Sequence, residues 1–351
     1  MTAGNIHQSA VVIVSLILVI AGLSVASSVF APVAFALFII ALVWPLQRRL
    51  QSILPRMLAI FISIVAMVLA FLAFGSMIVW AFGRVTRWII SDAAKLQQFY
   101  DQIVLWLEGH GVAITGIWAE GFNTGWVLRM AQTLTGRLNG MVSFWLVVLV
   151  YVILGLLEVD DFAAKLRGMR NRQIGSLILD ASIETAAKLH RYMVVRSAMS
   201  AITGLLVWGF ARLVGLPLAE EWGFIAFSLN YIPFIGPLVA TVFPTLFAMT
   251  EFGSWQAVVA VFACLNLIQF IIGSYVEPRV SGSALSMSPV LVLFAVFFWS
   301  WLWGVFGAFI GVPITIALLT FCAHHPATLW VAELLGAGPG PGEPEPARLR
   351  A

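Results

Sequence analysis

Long apolar runs divided by short polar ones set the pattern of this chain. A helix that crosses a bilayer needs about 20 apolar residues. Runs of that order occupy residues 9–30, 31–46, 57–82, 138–157, 197–214, 222–250, 255–276 and 288–320. They predict an all-α, polytopic membrane protein with about eight transmembrane helices. The first two runs are divided only by Ala31-Pro32, which reads as a tight hairpin. The run at 222–250 is interrupted by Pro233, Pro237 and Pro244. The last run has 33 residues, too long for one upright helix. Gly304, Gly307, Gly311 and Pro313 are placed to tilt it, break it or fold it back. Some spans are therefore expected to be broken or re-entrant.

Two wet segments divide these runs. In residues 84–137, Ile89, Leu96, Phe99, Ile103 and Leu107 recur at helical spacing. Ile117, Trp118, Phe122, Trp126, Met130 and Leu134 extend that stripe. In residues 158–196, Leu166, Met169, Ile174, Leu177, Ile178, Leu189 and Met193 do the same less regularly. Both segments predict amphipathic helices packed on the membrane surface or on neighbouring spans. The sharper alternative is that they line a vestibule or a subunit interface. Residues 336–346 alternate Gly, Pro and Glu without an apolar face and predict a disordered tail. The expected organisation is three N-terminal spans (1–83), an extramembrane helical segment (84–137) and a fourth span (138–157). A cytoplasmic helical segment (158–196), a C-terminal transport core (197–335) and the tail (336–351) follow.

Composition agrees with the pattern. Only 35 of 351 residues are charged, or 10%, against about 25% in a soluble domain. Hydrophobic residues make up 61% and the mean hydropathy is +1.00. No Asp, Glu, Lys or Arg occurs in residues 1–47 or 280–332, whereas twelve fall in 158–196 and nine in 84–137. Such clustering excludes a β-barrel, whose strands alternate polar and apolar positions. The net charge of +3 reads as cytoplasmic Lys and Arg, not as nucleic-acid binding.

Residues 47–56 carry three Arg and no acid, and residues 158–196 carry seven Lys or Arg. Both become cytoplasmic if the N-terminus is inside, and an even number of spans returns the C-terminus to the same side. Segment 84–137, with five Lys or Arg, then lies outside, in mild conflict with the rule. The apolar stretch at 10–23 lacks a basic flank, so it reads as a retained span rather than a cleaved signal peptide. Cys264 and Cys322 sit in apolar runs and read as small core residues.

The candidate chemistry is sparse. Asn230-Tyr231-Ile232-Pro233-Phe234-Ile235-Gly236-Pro237 lies inside an apolar run. Each proline removes a hydrogen bond to the carbonyl four residues earlier, so Pro233 would free Leu229 and Pro237 would free Pro233. Freed carbonyls in a bilayer must meet an ion, a ligand, water or other protein groups. Asn230 adds an amide at the same level, and Gly236 permits close approach. Proline-broken spans point to transport sites.

Glu277-Pro278-Arg279 brackets a rigid turn with an acid and a base, and Pro278 is expected to end the preceding span at Glu277. The pair reads either as an exposed loop pair or as a gate folded into the bundle. Asn266 and Gln269 lie one helical turn apart and suit helix–helix hydrogen bonding or a polar pathway. Phe309-Ile310-Gly311-Val312-Pro313 echoes Phe234-Ile235-Gly236-Pro237, and Gly311, Pro313 and Pro278 are expected to break helices. Arg196 reads as an interfacial anchor. No Asp, Glu or Lys falls mid-span, and no protease, lipase or nucleotide-binding motif appears. No metal site, cofactor or catalytic residue is expected.

At these residues the sequence resembles the AI-2E family of bacterial membrane permeases. The resemblance rests on 230–237, on Glu277-Pro278-Arg279 with Gly282, and on the stretch from Trp303 to Pro313. It is strongest over about 185–320 and topological over 1–157. Arg196 departs from the uncharged polar residue the resemblance implies there. The resemblance implies about eight spans, an inner-membrane location, a transport role and a homo-oligomer. It also implies a small solute such as autoinducer-2, or a monovalent cation, as substrate. Read together, the sequence predicts a secondary permease or exporter that works in the lipid bilayer. Sodium/proton antiport and a non-transporting scaffold are the alternatives.

Overall fold

A computed structural model describes residues 3–91, 105, 108–109, 124–281 and 287–336. They form α1 (Ala3–Val25), α2 (Ser27–Gln51), α3 (Arg56–Ser91), α4 (Thr124–Arg167), α5 (Arg172–Leu213), α6 (Ala219–Leu229) and α7 (Ile235–Phe252). Then follow α8 (Trp255–Phe270), a π-helical stretch (Ile271–Val276), α9 (Glu277–Ser281), α10 (Pro289–His324) and α11 (Leu329–Leu335). Among the described residues, seven helices are long and apolar enough to cross a membrane. The protein is an all-α, multi-pass membrane protein, as its apolar runs predict. Leu96, Phe99, Ile103, Leu107, Ile117, Trp118 and Phe122 of the expected stripe, Gly282 and the tail beyond Gly336 lie outside the described residues.

Several boundaries differ from the sequence expectation. The first two helices part at Ala26 (φ −96°, ψ 30°), and Pro32 sits inside α2. Pro32 is the sixth residue of α2, so it removes one bond, to the Ser28 carbonyl, and the helix continues through it. The Trp303 indole N–H donates to the Leu23 carbonyl at 3.1 Å, satisfying an acceptor beside the Ala26 bend. The expected boundary at 196/197 falls inside α5, a single 42-residue helix. At about 1.5 Å per residue it is roughly twice as long as the bilayer core is thick, so it carries the wet segment and the span together.

The last long run breaks at Trp303 (φ −130°, ψ 16°) and Gly304 (φ 64°, ψ −144°), not at Gly311 or Pro313, which remain helical. Only glycine adopts the Gly304 backbone without strain. The two arms of α10, 289–302 and 305–324, fold against each other. A Cβ on Gly311 would stand 2.9 Å from the Ala295 carbonyl oxygen, and one on Gly307 would overlap that of Trp299. Small residues at such positions let helix backbones approach closely.

The chain divides into two compact units. The first comprises Met1–Ile64, Ser143–Arg191 and Ser283–Ala351. Phe35 is its aromatic centre, edge-on to Phe144, Trp145 and Phe306 and stacked on Phe309. Buried Gln47 donates to the Leu156 carbonyl, and Arg56 donates to that of Leu157 at 2.8 Å. The second unit comprises Val65–Val142 and Tyr192–Gly282. Its core gathers Val85, Val207, Ala211, Trp222, Ala226, Phe247, Ala248, Val261 and Leu265.

Candidate functional site

The second unit builds its polar site on α5. Buried positions Tyr192, Val195, Arg196, Met199, Ser200, Thr203, Gly204 and Val207 recur at three and four, so they share one face. That face is apolar except for Tyr192, Arg196, Ser200 and Thr203.

One partner of this face is the hairpin made by α6 and α7. The chain enters α6 through Leu218, held at positive φ, and the Trp222 indole donates to the Pro217 carbonyl at 3.0 Å. With 11 residues, α6 spans about 16 Å, too short to cross a bilayer core of about 30 Å. The chain turns at 230–234 and α7 packs back against α6. Phe234 (φ 62°, ψ −53°) centres a γ-turn closed by the Ile235 N–H and the Pro233 carbonyl at 2.7 Å. A bulky side chain at positive φ in such a turn is strained. A Cβ on Gly236 would overlap the Leu229 carbonyl oxygen, so glycine is what lets the arms meet.

The carbonyls expected to be free are bonded. Leu229 accepts from the Ile232 N–H at 2.9 Å, and Pro233 accepts from Ile235. Pro237 lies in the first turn of α7, where a missing N–H costs no bond, and its own carbonyl accepts from the Thr241 hydroxyl at 2.9 Å. Both carbonyls that the prolines would free are thus satisfied, and the polar chemistry at this tip falls to side chains. Buried Asn230 donates to the Ser200 hydroxyl at 3.2 Å, and the Tyr231 hydroxyl donates to that of Ser197 at 2.9 Å. Tyr231 also packs edge-on to Phe74 and Phe227.

The other partner is the end of α8. Here the helix widens into a π turn, and the Glu277 N–H bonds the Ile272 carbonyl five residues back. Pro278 therefore does not end the helix: Glu277 is helical (φ −57°, ψ −48°) and α9 runs through to Ser281. The wide turn absorbs the hydrogen bond that Pro278 cannot make. It also aims Glu277 at α5, where the Arg196 guanidinium donates to its carboxylate at 2.6 Å. The Arg196 side chain is 6% exposed and that of Glu277 22%. Val195 and Met199 pack on Ile272 beside the pair. Arg279 instead lies 4.1 Å over the Tyr275 ring and is exposed, so the acid and base of that motif part company.

The structure thus brings Asn230, Tyr231 and Glu277 onto α5. It does not bring Asn266, which is exposed and donates to Phe262 of its own helix at 2.8 Å. Gln269 is half-buried on the same helix, and among the described residues no hydrogen bond ties it to α5. Ser197, Ser200, Thr203 and Tyr192 do not stand out in the sequence, and Arg196, which reads there as an interfacial anchor, is buried against Glu277. Among the described residues, the buried Tyr192 hydroxyl, Arg196 Nε, Thr203 hydroxyl and Ser228 hydroxyl have no hydrogen-bond partner. A buried group left unsatisfied costs about 1–3 kcal/mol, so this unit holds spare donors that a polar ligand can satisfy.

The family model of AI-2E family transporters matches residues 13–327. The chain is similar to AI-2 transport protein TqsA of Escherichia coli (strain K12), with 28% identity over 86% of this chain and 87% of that protein. It is also similar to putative transport protein YhhT of the same organism, at 25% over 92% and 93%. Putative transport protein YrrI of Bacillus subtilis (strain 168) matches at 26% over 86% and 87%.

Proposed function

The chain belongs to the AI-2E transporter family, and on that premise we propose that it is a secondary permease that exports a small polar solute such as autoinducer-2. The site is the face of α5 that receives the hairpin tip and the π-turned end of α8. The observation that carries this reading is the convergence of Asn230, Tyr231 and Glu277 on Ser197, Ser200 and Arg196. Unpaired hydroxyls beside them suit a hydroxylated solute. The strained γ-turn at Phe234 supports a tip that changes conformation as solute enters. The AI-2 transport protein among the relatives supports the solute class. The protein works in the inner membrane as a homo-oligomer, with both termini in the cytoplasm.

Flux of autoinducer-2 from proteoliposomes tests the site. Glu277→Gln lowers it by about tenfold or more, the scale of a lost charged hydrogen bond of about 1.5–3 kcal/mol, and Asn230→Ala by roughly two- to tenfold, the scale of a neutral one of about 0.5–1.5 kcal/mol. Pro233→Ala, which frees the turn, lowers it as well. Unchanged flux in all three overturns the assignment. Sodium/proton antiport is the second reading, favoured by the inward turn of Glu277 onto Arg196. A pH-gradient dye that responds to Na⁺ or Li⁺ in vesicles, and does not respond with Glu277→Gln, selects it.

A further inference from the structure

Glu221 takes no part in the solute site, yet its side chain is 1% exposed. It is the third residue of α6, at the base of the hairpin and beside Trp222 of the unit's core. A bare carboxylate there costs several kcal/mol. The group that faces it is Arg84 of α3, with Nε 2.8 Å from Oε1. The contact is close but poorly aimed: among the described residues, neither carboxylate oxygen accepts a hydrogen bond.

Two ordinary roles fit this geometry badly. An acid in the first turn of a helix can accept backbone N–H groups, but Glu221 accepts none. A structural ion pair offsets its desolvation only when the remaining lone pairs are satisfied, and a carboxylate has about four such positions. Arg84, by contrast, is 49% exposed and has a second seat. Its guanidinium lies 5.9 Å from the ring of Trp80, one turn back on the same helix and within cation–π reach. Within the unit, the other charged groups that the helices of this core carry are Arg87 on α3, Arg196 and Arg212 on α5, Glu220 on α6 and Glu251 on α7, and Arg196 is paired with Glu277. Arg212 pairs with Glu220 at 3.4 Å, and both are exposed.

We infer that Glu221 is the carboxylate of a binding site for a small monovalent cation, sodium or a proton, and that Arg84 is its built-in competitor. When the cation takes the carboxylate, Arg84 withdraws to Trp80. When the cation leaves, Arg84 returns and neutralises Glu221. The site lies at the base of the hairpin and the solute contacts at its tip, so cation occupancy biases the same element the solute engages. The two assignments stand or fall separately, because cation binding is read with no solute present.

The experiment is equilibrium binding of ²²Na⁺ to the purified full-length protein over a range of pH, with proton uptake followed in parallel. Arg84→Gln removes the competing charge and tightens sodium binding by roughly tenfold, equivalent to about 1.4 kcal/mol. Glu221→Gln abolishes the binding, and Glu220→Gln leaves it unchanged. If the ion is a proton, no variant holds sodium, and Arg84→Gln takes up one proton per chain that Glu221→Gln does not. Should Arg84→Gln fail to fold, melting the wild type and Glu221→Gln in sodium chloride and in choline chloride decides the same point. Sodium or acid then stabilises only the wild type. Equal binding or uptake in Glu221→Gln, or neither signal in the wild type and Arg84→Gln, overturns the inference.

Discussion

At the residue scale, Gly236 sets the geometry of the hairpin tip. Its missing side chain lets α7 start against the Leu229 carbonyl, and a methyl group there has nowhere to go. Gly236→Ala is expected to lower the melting temperature in detergent and to abolish transport. Gly209→Ala is the matched control, because a Cβ there meets nothing within 4 Å, and alanine is favoured over glycine in a helix by about 1 kcal/mol. Equal melting temperatures for the two variants would contradict the close approach. Asn230, Gly236 and Glu277 are legible in the sequence because polar and breaking residues stand out in an apolar run. Ser197 and Ser200 are not, since a serine in a membrane helix ordinarily bonds its own backbone and leaves no pattern. Arg196 misleads because a charge at the start of a span looks like an anchor. Only its contact with Glu277, 81 residues away, reveals the buried role.

At the element scale, both units contain a helical hairpin, and each depends on a residue that tolerates positive φ. In the second unit Phe234 bears it under strain. In the first, Gly304 bears it without strain. Gly304→Ala is therefore expected to cost about 1–3 kcal/mol, the scale of a non-glycine residue held in that region. A lowered melting temperature checks it. Phe234→Gly is expected to act oppositely, raising the melting temperature by relieving the turn while slowing transport if strain helps the tip move. A destabilised Phe234→Gly would show that the ring's packing outweighs its backbone. The apolar runs give the existence of these elements, and local proline rules misplace their breaks. Pro32 and Pro313 sit within helices, and Pro278 is accommodated by a π turn. The reason is that a helix ends where packing supplies better partners. Which arms pack on each other is a long-range fact that periodicity does not carry.

At the scale of the whole molecule, charge scarcity becomes an argument about sidedness. Within the first unit, Arg56 lies within 4.0 Å of Asp160 and 3.9 Å of Asp161, so the short loop after α2 and the end of α4 share one membrane face. His324, at the end of α10, stands 3.3 Å from Glu184, and Lys188 bonds Thr320. The end of α10 therefore meets α5 within the Lys/Arg-rich stretch 158–196. These contacts join residues 47–56 and 158–196 with the end of α10, and the orientation proposed above puts that face in the cytoplasm. With both termini in the cytoplasm, as proposed, the 84–137 segment is expected on the outer side. In intact cells, a membrane-impermeant maleimide is expected to label a cysteine at Glu108 and to spare one at Arg170. On the proposed orientation, a fluorescent protein fused after Ala351 is held in the cytoplasm and is expected to fold and fluoresce. The reverse labelling would overturn the proposed orientation, because it would put the Lys/Arg-rich stretch 158–196 outside against the positive-inside rule.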